Sequence, residues 1–177
     1  MEESARVRPD PAEYDPYYGR YIEGVSHGDV LEALEEQVDE MLLLLGALDP
    51  AVGEYRYAPG KWTVKQVVCH VLDSERIFGV RALCIARGDS QPLPGFDENA
   101  YAEEAGAERR SIRDLAKEFE LVRQSTIALY RSLDDQAWQR TGNANGAAVS
   151  VRAIAWIVAG HAAHHMRVLR ERYLEAR

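Results

Sequence analysis

The stretch at residues 150–174, SVRAIAWIVAGHAAHHMRVLRERYL, restricts the possible fold more than any other part of the chain. At about 100° per residue, Val151, Ile154, Ile157, Val158, Val168 and Leu169 fall on one stripe, which predicts a helix with one buried face. His161 and His165 lie near the middle of that stripe. His164 lies roughly 60° from His161, at the stripe's edge towards Arg167 and Trp156. Two imidazoles one turn apart are therefore aimed into hydrocarbon. An unpartnered buried polar group costs about 1–3 kcal/mol. A metal ion would satisfy both rings at once, because ligands at i and i+4 on a helix reach one cation.

The chain has 177 residues, enough for one domain with a substantial core. Its net charge is −8, with Lys and Arg dispersed, which argues against nucleic acid or an anionic membrane as partner. No run of 18 apolar residues occurs, and the first residues, MEESARVRPDPAEYDP, contain no hydrophobic signal core, so a soluble, cytoplasmic protein is expected. Cys69 and Cys84 would stand about 22 Å apart on the helix proposed below, too far to pair with each other. Two free thiols without a CxxC partner fit a reducing compartment, and Cys69 and Cys84 read as small core residues rather than nucleophiles.

Residues 1–28 carry Pro9, Pro11 and Pro16 with Tyr14, Tyr17, Tyr18 and Tyr21, and no sustained period. They read as an arm laid over the domain, with His27 a solvated loop residue. The domain proper is expected over residues 29–177. Asp29 is a suitable N-cap for a first helix whose stripe runs through Leu34, Val38, Met41, Leu42 and Leu45, and Gly46 helps it stop. Glu32, Glu35, Glu36, Asp39 and Glu40 fall mostly on its wet side and read as a solvated face rather than a carboxylate metal site.

A second helix begins at Thr63, which forms a capping-box pattern with Gln66, and is placed to end at Gly88. Its apolar stripe is Val64, Val67, Val71, Phe78, Ala82 and Ile85, and His70, Ser74 and Arg81 form a polar strip along one flank. The 23 residues at 88–110 are too long for a tight hairpin and permit a crossover, so the second and third helices can run parallel. Ser111 caps the third helix, with Ile112, Leu115, Phe119, Val122, Thr126, Leu129 and Leu133 inward. Residues 134–150 allow a short helical turn and a small polar loop that could hold a hairpin, and Ser150 caps the fourth helix. Four amphipathic helices without a confident strand or a repeat predict an all-α, four-helix bundle.

Three segments together resemble the DinB/YfiT-like superfamily: HVLDSERIFGVRALCIARGD, then PLPGFDENAY, then VSVRAIAWIVAGHAAHHMRVLRERY. The resemblance covers the chain from about residue 29 onward. It implies a bundle of up-down-down-up topology and a divalent metal held by one histidine of the second helix and an HxxxH pair of the fourth, here His70, His161 and His165. His164 competes for that role and is passed over by both the family pattern and the wheel.

Three imidazoles without an evident fourth protein ligand would leave an open coordination position, as in catalytic sites. A thiol bound there would be deprotonated, and a bound water would have its pKa lowered towards 7. The resemblance implies the first chemistry, since relatives include transferases and isomerases that use thiols such as bacillithiol or mycothiol. The expected function is thus a metal-dependent thiol S-transferase acting on a small electrophile, with zinc or nickel as the metal. A metal-dependent hydrolase and a non-catalytic, stress-associated bundle are the alternatives. Asp73 and Glu75 are candidates to orient an imidazole, or ordinary surface charges. Arg81 and Tyr101 are candidates to contact an anionic thiol or substrate, with Arg81 also possible beside the metal ligands, or a surface arginine and a loop tyrosine. The PLPGFDENAY loop is a candidate pocket rim. Pairing into a homodimer is compatible with every reading.

Overall fold

A computed structural model describes residues 5–174; residues 1–4 of the arm and 175–177 after the last helix lie outside the described residues. Helix α1 (Gly19–Ile22) is a single turn within the arm, which also forms 3-10 turns at Pro11–Glu13 and Pro16–Tyr18. The long helices begin where polar caps precede apolar periods. The side chain of Asp29 accepts the Leu31 N–H at the start of α2 (Val30–Gly46). Thr63 and Gln66 close a reciprocal capping box at the start of α3 (Val64–Ala86), and Gly88 leaves that helix with a φ of 81°.

The connection after α3 contains α4 (Glu98–Glu104) and a 3-10 turn, Ala107–Arg109, before Ser111 caps α5 (Ile112–Arg131). After α6 (Asp135–Gln139), β1 (Thr141–Ala144) and β2 (Ala147–Ser150) form an antiparallel hairpin. Both residues of its two-residue turn, Asn145 (φ 55°) and Gly146 (φ 81°), have positive φ, as a type I′ turn requires. The sequence contained that Asn-Gly signal, although the two strands are too short to register as alternation. Ser150 then caps α7 (Val151–Val168). The expected single helix to residue 174 is instead α-helical to Val168 and π-helical over Leu169–Leu174.

Helices α2 and α3 each pack on both α5 and α7, so sequence neighbours α2 and α3 lie on a diagonal. Core packing and polar links fix the directions. Val68 and Leu72 share one apolar cluster with Leu115 and Phe119, and Ala82 and Ile85 share the other with Ile127 and Tyr130, making α3 and α5 parallel. Glu35 with Arg131 and Gln37 with Arg123 run oppositely, making α2 and α5 antiparallel. His70 meets His161 while Phe78 packs with Ile154 and Ile157 in one core cluster, so α3 and α7 are antiparallel. The result is an up-down-down-up four-helix bundle whose long crossover returns the chain so that α5 can start beside α3. No helix among the described residues is long and apolar enough to cross a membrane.

The one-sided stripe expected for the last helix is too narrow a description. From Ala153 to Ala162 every side chain of α7 is buried, including Trp156 at 0 % exposure, because α2 and α3 flank it while α1 and α6 also pack on it. Trp156 therefore belongs to the core rather than to the edge shared with His164.

Apolar side chains form two clusters, one around Tyr130, Trp138 and Trp156, the other around Met41, Leu72, Phe119 and Tyr173. Each long helix changes cluster at or next to a buried polar residue: Gln37 on α2, Glu75 on α3, Arg123 on α5 and His161 on α7. A polar layer thus crosses the bundle between two hydrocarbon halves.

Candidate metal centre

His70 is carried by α3, and His161 and His165 stand one turn apart on α7. The antiparallel contact of these helices brings the Nε2 atoms of His70 and His161 to 3.0 Å. One ring nitrogen from each of the three histidines lies within 4.8 Å of the others. Nitrogens bound to one tetrahedral ion at ~2.0–2.1 Å would stand about 3.3 Å apart, so only small side-chain shifts separate this arrangement from a coordination sphere. Nδ1 of His165 is buried without a hydrogen-bond partner. A protein without a use for that atom would leave a costly orphan there.

The surroundings keep the rings neutral, the form in which imidazole is a ligand. Burial pulls His70 down to about 4. Burial, then the neighbouring His70 and His164, pulls His165 down to about 3. Burial also holds His161 well below the ordinary histidine range, with the other imidazoles acting in the same direction. Trp62 covers His70 with ring centroids 4.8 Å apart, and Tyr21 covers His161 at 5.4 Å. Phe78 closes the far side of His161 at 6.2 Å. His165 lines a cavity of about 300 Å³ that also touches His164, Lys61, Asn99 and Arg172. This cavity borders the cluster at His165.

Tyr21 reaches His161 because α1 lies directly on α7. A Cβ on Gly160 would sit 2.1 Å from the Tyr21 carbonyl oxygen, so only glycine allows this approach. His164 is half-buried, contacts the Tyr21 ring at 5.4 Å and has Arg167 at 3.4 Å from Nδ1. It faces the cavity rather than the three-nitrogen cluster. His27 pairs with Glu36 at 2.7 Å, away from the centre.

The remaining candidates occupy other places. Both carboxylate oxygens of Glu75 are held by Arg123, at 2.7 and 2.9 Å, so Glu75 is a buried ion-pair partner and does not orient an imidazole. Asp73 pairs with Arg76 at 3.6 Å on its own helix, and burial raises its carboxyl above the ordinary range. Arg81 is 5 % exposed, so it is no surface arginine, and it lines a different cavity beside the hairpin. Tyr101 is exposed and packs on Phe96 at 5.2 Å; Asn99, two residues earlier on α4, lines the cavity at His165. Cys69 is buried and its thiol is pushed up by burial, whereas Cys84 is half-buried.

Sequence reasoning missed Arg123 and Gln37. Arg123 donates to Glu75 and to the Gln37 side-chain oxygen at 2.8 Å, and Gln37 donates to the Ala159 carbonyl at 2.9 Å. A signal was present: Arg123 lies 11 residues from the apolar Ile112 and Gln37 seven from the apolar Val30, each about 20° round the helix from that residue.

Comparisons with known proteins agree with this architecture. No curated protein matches the chain. A solved structure, YfiT from Bacillus subtilis, described as a probable metal-dependent hydrolase with an unusual four-helix bundle topology, superposes with a TM-score of 0.74 at 19 % identity, covering 94 % of this chain and 91 % of that one. The family profile of the DinB superfamily matches residues 9–169, which takes in most of the arm, all four long helices and all three clustered histidines. By its sequence and by its bundle, the chain belongs to the DinB superfamily.

Proposed function

We propose that this protein is a metal-dependent thiol S-transferase in which His70, His161 and His165 hold one divalent cation, zinc or nickel. The observation that carries the reading is the convergence of three imidazoles, two buried and that of His165 partly buried, with no fourth Cys, His or carboxylate in the group among the described residues. Such a donor set leaves a coordination position for a substrate atom. When bound, the cation would supply Lewis acidity, stabilising the deprotonated form of a thiol or water.

The chain's own residues supply the rest. Trp62, Phe78 and Tyr21 exclude water from the imidazoles, and the cavity at His165 admits a small molecule. Lys61 and Arg172 on its wall offer positive charge to an anionic thiol such as bacillithiol or mycothiol. A thiol is favoured over water because hydrolysis would want a general base, and the two carboxylates nearest in sequence to His70 on α3 are engaged with Arg76 and Arg123. A reducing, cytoplasmic setting fits the two free cysteines.

Hydrolysis is the second reading, supported by the likeness to YfiT. One experiment separates them. Purified protein loaded with zinc or nickel is assayed with a panel of low-molecular-weight thiols and a monochlorobimane-type electrophile, and in parallel with ester and amide substrates lacking thiol. Metal-dependent conjugation is the expected result. Turnover of esters or amides alone would favour hydrolysis, and metal-dependent thermal stabilisation without any turnover would leave a non-catalytic bundle.

A further inference from the structure

The bundle holds two deeply buried guanidinium groups with different surroundings. Arg123, at 0 % exposure, is fully matched by the Glu75 carboxylate. Arg81, at 5 % exposure, has no carboxylate within ion-pairing distance among the described residues. Its Nη2 donates to the Pro94 carbonyl at 2.6 Å, the Tyr18 hydroxyl oxygen lies near enough to interact with its charge, and that charge lies 5.6 Å from the Phe78 ring centre. Dipoles and a ring face solvate the group without neutralising it. Arginine keeps its proton in proteins, so the positive charge stays. A buried charge lacking a counter-ion is costly, and several of its five N–H donors are left for another acceptor.

Arg81 lines a cavity of about 320 Å³, within the size range of small-molecule sites. The walls are held firmly. Leu93 bridges to β1, donating to Asn143 O and accepting from Asn145 N, both at 2.9 Å, which fixes the adjacent Pro94 carbonyl against Arg81. Tyr17, Tyr18 and Phe96 supply aromatic surface, and Asn145 of the hairpin turn adds an amide. Asp15 and Glu98, both exposed, add carboxylates to the lining. The lining therefore combines one buried cation and aromatic surface with two exposed carboxylates.

We propose that this cavity is a second binding site, which takes a small monocarboxylate with an apolar body, its carboxylate paired with Arg81 and its body against the Tyr17, Tyr18 and Phe96 rings. A planar carboxylate matches the guanidinium fork, and the Asp15 and Glu98 carboxylates in the lining disfavour multiply charged anions such as phosphate. The site is distinct from the histidine cluster: Arg81 follows His70 by 11 residues, about 16 Å along α3. It does not depend on the metal reading.

The test titrates the full chain with benzoate, with its neutral isostere benzamide and with inorganic phosphate, by ligand-detected NMR and calorimetry. Benzoate is expected to bind at millimolar concentration or below, to shift the Asn145 side-chain amide signal, and to outcompete the other two. Binding is expected to persist in His161→Ala, which excludes carboxylate ligation by a metal. Arg81→Gln removes the charge while keeping a polar side chain, and is expected to weaken benzoate by at least about tenfold. If Arg81→Gln does not fold, the benzoate-over-benzamide preference and the Asn145 shift in the unaltered chain decide the matter. Equal binding of benzamide or phosphate, loss of binding in His161→Ala, or a folded Arg81→Gln that binds benzoate normally would overturn the proposal.

Discussion

Arg123 holds both carboxylate oxygens of Glu75, at 2.7 and 2.9 Å, in the middle of the bundle where neither side chain is more than 3 % exposed. Through Gln37 the same guanidinium reaches the Ala159 carbonyl, so one polar layer joins all four long helices two residues before His161. Removing one member leaves a charge in hydrocarbon. Glu75→Gln is expected to cost about 3–5 kcal/mol, which lowers Tm by roughly 6–20 °C for a domain of this size. Replacing the pair, as Glu75→Leu with Arg123→Met, is expected to cost less than either single change. Urea titrations of the three variants check the order, and a double replacement worse than both singles would contradict it.

The histidines are separable by metal content. His161→Ala is expected to abolish stoichiometric metal, and His70→Ala or His165→Ala to weaken it at least about tenfold. His164→Ala and His27→Ala are expected to retain a full equivalent, because one faces the cavity and the other pairs with Glu36. Glu75→Gln is also expected to retain it wherever the variant folds. Elemental analysis after dialysis against chelator-free buffer reads all six.

The helices were legible because each long one announces itself by a polar cap before an apolar period: Asp29, Thr63, Ser111 and Ser150 all act as N-caps. The meeting of His70 with His161 and His165 could be read in outline, since all three lie on or beside buried stripes of two helices. What the wheel could not supply was the partner of each inward polar group. Glu75 looked like a loose carboxylate near His70 because its counter-charge comes from α5, 48 residues later. Arg81 looked like surface because the Pro94 loop and Tyr18 that bury it come from the crossover and the arm. Burial imposed by non-helical segments leaves no period in the helix it covers.

Acid should weaken the metal-free protein in a defined window. An unfolded histidine titrates near 6.5, whereas folded His70 titrates at about 4 and His165 at about 3. Between those values the unfolded chain binds more protons, so stability rises with pH and falls as pH drops from about 6.5 towards 3. Thermal melts of chelator-treated protein at a series of pH values are expected to show this decline. His70→Gln is expected to flatten it, since one of the groups that must stay neutral in the fold has been removed. A melting profile unaffected by that substitution would sink the assignment of the acid sensitivity to this cluster.

Gly160 links the arm to the centre. A methyl group there would stand 2.1 Å from Tyr21 O and 2.4 Å from its carbonyl carbon, and both are backbone atoms that cannot rotate aside. Gly160→Ala must therefore push α1 away from α7, although alanine is by itself the better helix former. The two effects oppose each other, and the clash is the larger: overpacking costs about 1–3 kcal/mol against about 1 kcal/mol gained in helix propensity. The displaced segment carries Tyr21, whose ring covers both His161 and His164. The variant is expected to melt lower, to expose the arm to proteolysis near residues 19–24, and to admit water to the imidazoles, raising the pH at which His161 accepts a proton. Limited proteolysis and histidine NMR titration read the two consequences separately. Unchanged cleavage together with an unchanged titration would mean that the arm does not shield the centre.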